Sequence, residues 1–202
     1  MNEQTLFPLA AVRGADPART GGLPVAADEA FSSAARIPLD ADSWVDYVPG
    51  WLSGDRELMA VLLEQVVTEP RLTAEYSVIA DAPQPVLRYL AQVLSAHYGK
   101  SYTRLWMNWY RDNNDGTDWH ADRPANQLDE AVIPVLSLGA SRRFLIRRTG
   151  GPGVSKAIKV HGGDLVVMGG RCQKDYEHTV PKQKQSAGTR LSLNFSTVVP
   201  PR

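Results

Sequence analysis

The chain has 202 residues, 43% of them hydrophobic, and its 22 basic side chains balance 22 acidic ones to a formal charge of zero. That length and apolar content suit one globular domain, and the neutral balance excludes an overall positive field, so a polyanionic partner would have to be held by local patches. The single cysteine, Cys172, excludes a disulfide framework and a multi-thiolate metal site and suits a reducing compartment.

Residues 1–36 are rich in Ala, Gly and Pro (GADPARTGGLPVAADEA) and have little periodic apolar signal, so they are expected to form a flexible arm. The opening MNEQTLFPLAAVRG has neither the charged start nor the apolar stretch of a signal peptide, and no run approaches transmembrane length. A cytoplasmic, monomeric protein without membrane association is the expectation. From Trp44 the chain begins extended, turns at Pro49-Gly50, and then places Leu58, Val61, Leu62, Leu63 and Val66 at helical spacing. This predicts a helix from about Ser53, with Ser53 as N-cap and an acidic first turn. A second helix is predicted over residues 85–98, stopped by Gly99.

After Lys100 the texture changes to short β-rich runs: YTRLWMNWYR, AVIPVLSLGA, RRFLIRR, AIKV, DLVVMG and TRLSLNFSTVV, cut by Gly, Asn, Asp and Pro. The predicted fold is α+β, with a double-stranded β-helix (jelly-roll) core over residues 101–202 and the helical region 37–100 packed on it as one domain.

Four histidines are present. His97 falls inside the second helix, and His161 precedes Gly162-Gly163-Asp164, so a helix-surface role and a turn role are expected for them. His120 and Asp122 stand two apart in TDWHADRP, a spacing that puts both side chains on one face of a strand. His178 lies 56 positions beyond Asp122. Two histidines and one carboxylate leave open positions on a metal, and such a facial triad favours non-haem Fe(II). In RLSLNFS, Leu191, Leu193 and Phe195 alternate with Arg190, Ser192, Asn194 and Ser196. An arginine turned into a sandwich interior needs an anion. That anion is either a bound carboxylate, such as a keto-acid co-substrate, or an internal Asp or Glu.

An ordered set of blocks over residues 44–198 resembles the AlkB family of Fe(II)- and 2-oxoglutarate-dependent dioxygenases, particularly bacterial relatives of the animal DNA-repair members: PGWL, PRLTAEY, MNWYRDNNDGTDWHADR, PVLSLGASRRFLIRR, HGGDLVVMGG, YEHTVP and TRLSLNF. The resemblance implies Fe(II), 2-oxoglutarate and O2 as cofactors and His120, Asp122 and His178 as iron ligands. It implies Asn108, Tyr110 and Arg190 as 2-oxoglutarate contacts, with Ser192, Asn194 and Ser196 on the same strand. The family's closing motif, R-x-N-x-T-x-R, keeps only its first arginine here; Ser196 stands where the family has a second. Pro124 stands where some members have an acidic residue.

The implied activity is oxidative demethylation of N-alkylated bases in DNA or RNA, single-stranded or flipped out, with release of formaldehyde, succinate and CO2. Tyr76, Trp119 and Arg71 are the candidate substrate contacts. The arginines of SRRFLIRR with Lys156, Lys159, Lys182 and Lys184 form either a solvated face or a phosphate-contacting patch. Two other readings stand beside this one: a same-fold dioxygenase acting on a protein or small molecule, and a non-catalytic module that binds alkylated nucleic acid.

Overall fold

The computed structural model describes residues 16–67, 73–76, 79–82 and 84–197. Among them run the helices α1 (Pro17–Thr20), α2 (Asp55–Val67), α3 (Pro85–Tyr98) and α4 (Cys172–Asp175). The strands are β1 (Ala26–Ala27), β2 (Ala35–Pro38), β3 (Ser43–Val48), β4 (Leu52–Ser53), β5 (Thr73–Tyr76), β6 (Arg104–Tyr110), β7 (Ile133–Gly139), β8 (Arg142–Arg148), β9 (Lys156–Val160), β10 (Leu165–Gly170), β11 (Tyr176–Thr179) and β12 (Arg190–Ser196).

The strands build two antiparallel sheets that face each other. The larger runs β2-β3-β10-β7-β12-β6-β5 and the smaller β11-β8-β9, with β1 and β4 paired separately. Period-two alternation divides each strand of the large sheet between two cores. Leu136 and Leu138 on β7, Leu165 and Val167 on β10, and Leu191, Leu193 and Phe195 on β12 pack with α2 and α3 on the outer face. Ile133, Val135, Val166 and Met168 point the other way, into the space between the sheets, where they meet Phe144, Ile146, Ile158 and Val160 of the small sheet. Burial of each large apolar side chain on β12 stabilises the fold by roughly 1.5–3 kcal/mol. This is the predicted α+β jelly roll with helices packed on its outside.

Helix α3 starts at Pro85, whose missing N–H is not needed in a first turn, and ends at Gly99, which takes φ +62° and donates its N–H to the Ser95 carbonyl at 3.0 Å. The HGGD turn is structural. Gly163 has φ +84°, and a Cβ there would lie 2.3 Å from the Leu52 carbonyl oxygen. The buried Asp164 carboxylate accepts from Gly50 N and His161 N, both at 2.8 Å, and from the Tyr47 hydroxyl at 2.7 Å.

Two expectations are corrected. Residues 16–36 are not a loose arm: they contain α1, β1 and the start of β2, and they bury Val25 and Phe31 in the outer core. Phe31 stacks on His97 of α3 with ring centroids 3.6 Å apart, which gives that helix histidine a packing role. A few large apolar contacts anchor a segment too polar and too rich in glycine to show periodicity. Ser53 is not an N-cap; it lies in β4 and donates its hydroxyl to the Ala26 carbonyl, while α2 begins two residues later with Asp55 and Glu57 in its first turn.

Candidate active site

The loop between β6 and β7 is strapped to the end of β11. Thr117 N donates to the Val180 carbonyl (2.9 Å), the Thr179 hydroxyl to the Thr117 carbonyl (2.5 Å), and Val180 N to the Thr117 hydroxyl (3.0 Å). The strap ends in a reciprocal pair: His120 N donates to the His178 carbonyl at 3.1 Å and His178 N to the His120 carbonyl at 2.8 Å. Two residues far apart in sequence are thereby fixed as cross-strand neighbours, with ring centroids 4.3 Å apart.

Asp122 completes the group. Its Oδ1 lies 3.7 Å from His120 Nε2 and 3.6 Å from His178 Nε2. The three ligand atoms fall within 4.8 Å of one another, which allows one ion to be held among them. Each side chain is oriented by a neighbour. His120 Nδ1 sits 2.8 Å from the Asp118 carbonyl; as the N–H donor there, it leaves Nε2 with its lone pair toward Asp122. Gln173 of α4, itself buried, holds both ends of Asp122: its Oε1 accepts from Asp122 N at 2.8 Å and its Nε2 donates to Oδ2 at 3.1 Å. Oδ1 is left facing the histidines. Phe144 stacks on the His178 ring at 5.3 Å. Burial pushes His178 down to about 4, against the pull of the Asp122 carboxylate, so its imidazole is neutral at physiological pH as ligation requires.

Behind this triad a narrow pocket runs between the sheets, past Asn108, Tyr110, Ser192 and Asn194, to Arg190. All seven residues of β12 are buried. Strand β6 pairs with β12 so that Asn108 lies opposite Ser192 and Tyr110 opposite Arg190, which gathers the polar side chains of both strands on one face. Arg190 is 1% exposed. It donates one hydrogen bond, from Nη2 to the Ser137 hydroxyl at 2.8 Å, and lies over the Tyr110 ring at 4.9 Å. Its Nε and Nη1 are buried with no hydrogen-bond partner, and no carboxylate pairs with it among the described residues. Burial lowers its pKa, and only the Tyr110 phenol beside it pulls the other way. A buried fork with two unmatched donors at the blind end of a pocket whose mouth is a His/Asp/His cluster is the arrangement a dicarboxylate keto acid would complete. The residues present fit both an Fe(II) ion and 2-oxoglutarate.

In front of the triad opens a cleft of about 700 Å³, within the range of small-molecule sites. Its wall includes Arg104, Trp106, Ala121, Arg123, Pro124 and Ser196. Trp106 stands there because it alternates with Asn108 on β6, which is the signal by which the sequence could have shown it. Ser196 lies at this outer end, directly across the strand pair from Arg104.

The other sequence candidates fall as follows. Trp119 does not line the cleft; Arg147 covers its ring at 4.3 Å while pairing with Glu177 at 2.9 Å. Tyr76 ends β5, with its backbone opposite Leu105, and Arg71 lies outside the described residues. The arginines of SRRFLIRR are divided among different settings, and Arg143 lines a separate surface pocket with Lys159 and Lys184. Arg142 is buried and donates to the carbonyls of Asp112, Asp115 and Pro181 (2.6–3.0 Å), and Arg148 reaches Asp40 at 3.5 Å. Cys172 is buried and its thiol is pushed up to about 12, so it is no nucleophile.

The pattern of the 2OG-Fe(II) oxygenase superfamily matches residues 65–195, and the chain belongs to that superfamily, enzymes that use Fe(II), 2-oxoglutarate and O2. The similarity is to AlkB homologues, as the sequence blocks imply. The chain is 32% identical over 164 residues to alpha-ketoglutarate-dependent dioxygenase alkB homolog 3 of Rattus norvegicus, covering 72% of this chain and 56% of that one. It is 34% identical over 151 residues to the Homo sapiens protein of that name (65% and 53%), and 29% identical over 136 residues to DNA oxidative demethylase ALKBH2 of Arabidopsis thaliana (54% and 43%). The chain thus spans about half the length of these relatives. The solved structure of OsALKBH1 superposes with a TM-score of 0.53 over 81% of this chain and all of that one, at 15% identity, a likeness of fold. No helix among the described residues is long and apolar enough to cross a membrane.

Proposed function

We propose that this chain is an oxidative demethylase of N-alkylated bases in nucleic acid. The observation that carries the reading is the unpaired, buried guanidinium of Arg190 in a pocket capped by the His120/Asp122/His178 cluster, with an open, aromatic-walled cleft on the far side. The relatives named as DNA oxidative demethylases support the substrate class.

In this reading His120, Asp122 and His178 hold the iron, and Gln173 and the Asp118 carbonyl keep their ligand atoms aimed at it. Arg190 takes the far carboxylate of 2-oxoglutarate, with Asn108 and Tyr110 beside the chain of the keto acid. When bound, the iron and 2-oxoglutarate supply the oxidation: one oxygen atom of O2 enters succinate as CO2 leaves, and the other enters the N-methyl group, whose hydroxymethyl product breaks its N–C bond to give formaldehyde and the unmethylated base. The surrounding apolar residues, Val135, Phe144 and Val180, exclude water from the inner pocket. The base enters the outer cleft along Trp106, which requires a single strand or a flipped nucleotide.

The test is methyl loss, read by mass spectrometry, from single-stranded oligonucleotides each bearing one N-methylated base, with Fe(II) and ascorbate, with and without 2-oxoglutarate. Loss from at least one oligonucleotide only when 2-oxoglutarate is present is expected, and His120→Ala should abolish it. Consumption of 2-oxoglutarate with no methyl loss from any oligonucleotide would overturn the nucleic-acid reading.

A further inference from the structure

Away from the catalytic cleft, β8, β9 and the loop before β12 enclose an open pocket of about 620 Å³, large enough for a nucleotide-sized ligand. It shares no lining residue with the inner pocket or the outer cleft. Three exposed cations line it: Arg143 of β8, Lys159 of β9 and Lys184 of the loop. Arg143 and Lys159 stand directly opposite each other in the β8–β9 register, so two like charges share one face of the small sheet. Such a pair costs stability unless something negative lies against it. Lys184 is brought to them where the strap ends, with Gln183 N donating to the Asn113 carbonyl at 3.0 Å.

The protein supplies these charges with no counter-ion. Every residue of β8, β9, β11 and 181–188 is described, and the one carboxylate among them, Glu177, is taken by Arg147 at 2.9 Å. Asp112 and Asp115, whose carbonyls hold Arg142, accept from Asn114 N and from Arg111, each at 2.7 Å. Arg143, Lys159 and Lys184 therefore have no side-chain hydrogen bond or ion pair among the described residues. The other arginines of the strand each find acceptors inside the protein: Arg142 in three carbonyls, Arg147 in Glu177 and Arg148 in Asp40. Arg142 also lines the pocket, is 1% exposed, and still has a buried Nε with no partner.

A guanidinium fork beside two ammonium groups suits a ligand with several anionic oxygens. A lone carboxylate carries one charge and two oxygens, too little to answer three cations, whereas a phosphate group carries up to two charges on three oxygens. We propose that this pocket is a phosphate-binding site separate from the catalytic cleft, in which Arg143, Lys159 and Lys184 hold phosphate groups of a nucleic-acid strand or of a small phosphorylated molecule. The site concerns binding alone and stands whether or not the chain demethylates bases.

Two probes tell the sources apart: a fluorescein-labelled single-stranded oligothymidylate, read by anisotropy, and inorganic pyrophosphate, read by calorimetry. Arg143→Gln/Lys184→Gln removes two charges from the pocket, and Lys100→Glu makes the same change in net charge at an exposed, unpaired residue after α3. The double variant should bind at least one probe about tenfold or more weakly at low salt, and Lys100→Glu should bind both as the parent does. A loss on oligothymidylate, with the slope of log Kd against log salt reduced by about 1.4 (roughly 0.7 for each lost contact), assigns the site to a strand. A loss confined to pyrophosphate assigns it to a small phosphorylated molecule. Because the two side chains are exposed and unpaired, and the change relieves the repulsion at Lys159, the double variant should melt at or slightly above the parent. A parent that binds neither probe, or a double variant that binds both no more weakly than Lys100→Glu, would overturn the proposal and leave the three cations as a solvated face.

Discussion

Replacing Arg190 by methionine should move stability and co-substrate affinity in opposite directions. Arg190 is 1% exposed, and only one of its guanidinium nitrogens has a partner, the Ser137 hydroxyl at 2.8 Å. Holding an unmatched cation there costs several kcal/mol of desolvation, which the fold meets elsewhere. Methionine keeps an unbranched stem against Tyr110 and removes the charge, so the ligand-free protein should become more stable by about 1–3 kcal/mol, after a loss of roughly 1 kcal/mol at Ser137. In a domain of this size that raises the melting temperature by about 2–4 °C per kcal/mol. The same change removes a buried, charge-assisted pair with the keto acid, worth roughly 2–5 kcal/mol, and so should weaken 2-oxoglutarate binding between about thirtyfold and a few thousandfold. The assay is urea denaturation without ligand, together with thermal shifts under anaerobic Fe(II) at rising 2-oxoglutarate. At one hundred times the parent's Kd the parent should gain about 2.7 kcal/mol, and Arg190→Met less than about 1 kcal/mol at that concentration. A variant destabilised by several kcal/mol that still binds 2-oxoglutarate normally would show that Arg190 is a structural cation, and would refute the reasoning.

Gln173→Leu preserves volume but strips Asp122 of the two hydrogen bonds it makes with Gln173, and Fe(II) affinity should fall by about 10–100-fold; an unchanged metal titration would show that Asp122 is held by other means. His178 has its pKa lowered from 6.5 to about 4 by burial, so between those values the unfolded chain binds the extra proton. Stability of the metal-free protein should therefore be fully present above pH 6.5 and decline as pH falls toward 4, by about 3 kcal/mol at ~1.4 kcal/mol per unit. Denaturation at several pH values should show this slope for the parent and its loss for His178→Gln, and equal slopes would place the effect elsewhere. Ser196→Arg sets a second guanidinium opposite Arg104 and should cost about 0.2–1 kcal/mol without tightening 2-oxoglutarate binding, a cost relieved by adding Arg104→Ser. A tighter Kd in the single variant would show that position 196 reaches the inner pocket.

Local rules carried much of the fold and part of the site. The alternation of RLSLNFS was enough to put Arg190, Ser192, Asn194 and Ser196 on one face of a strand, because side chains on an extended chain alternate whatever surrounds them. Pro85 and Gly99 bounded α3 for equally local reasons. The H-x-D spacing offered two ligands, but its reading as a strand was incomplete. Residues 118–122 are held by the His120–His178 bridge and the Thr117 strap, and Trp119 turns onto Arg147 rather than into the cleft. The packing of residues 16–36 was not legible, since a lone Phe31 against His97 has no period to read.

The sequence by itself therefore determined the alternating strands, the capped helix and the residue types able to bind a metal and an anion, since these depend on neighbours a few positions away. Only the tertiary structure decided which of them meet. It brought Gln173 to Asp122 across 51 positions, set Ser137 rather than a carboxylate against Arg190, and paired Arg147 and Arg148 with acids. Whether a charge is paired depends on which distant strand the sheet order places next to it, and no local pattern encodes that order.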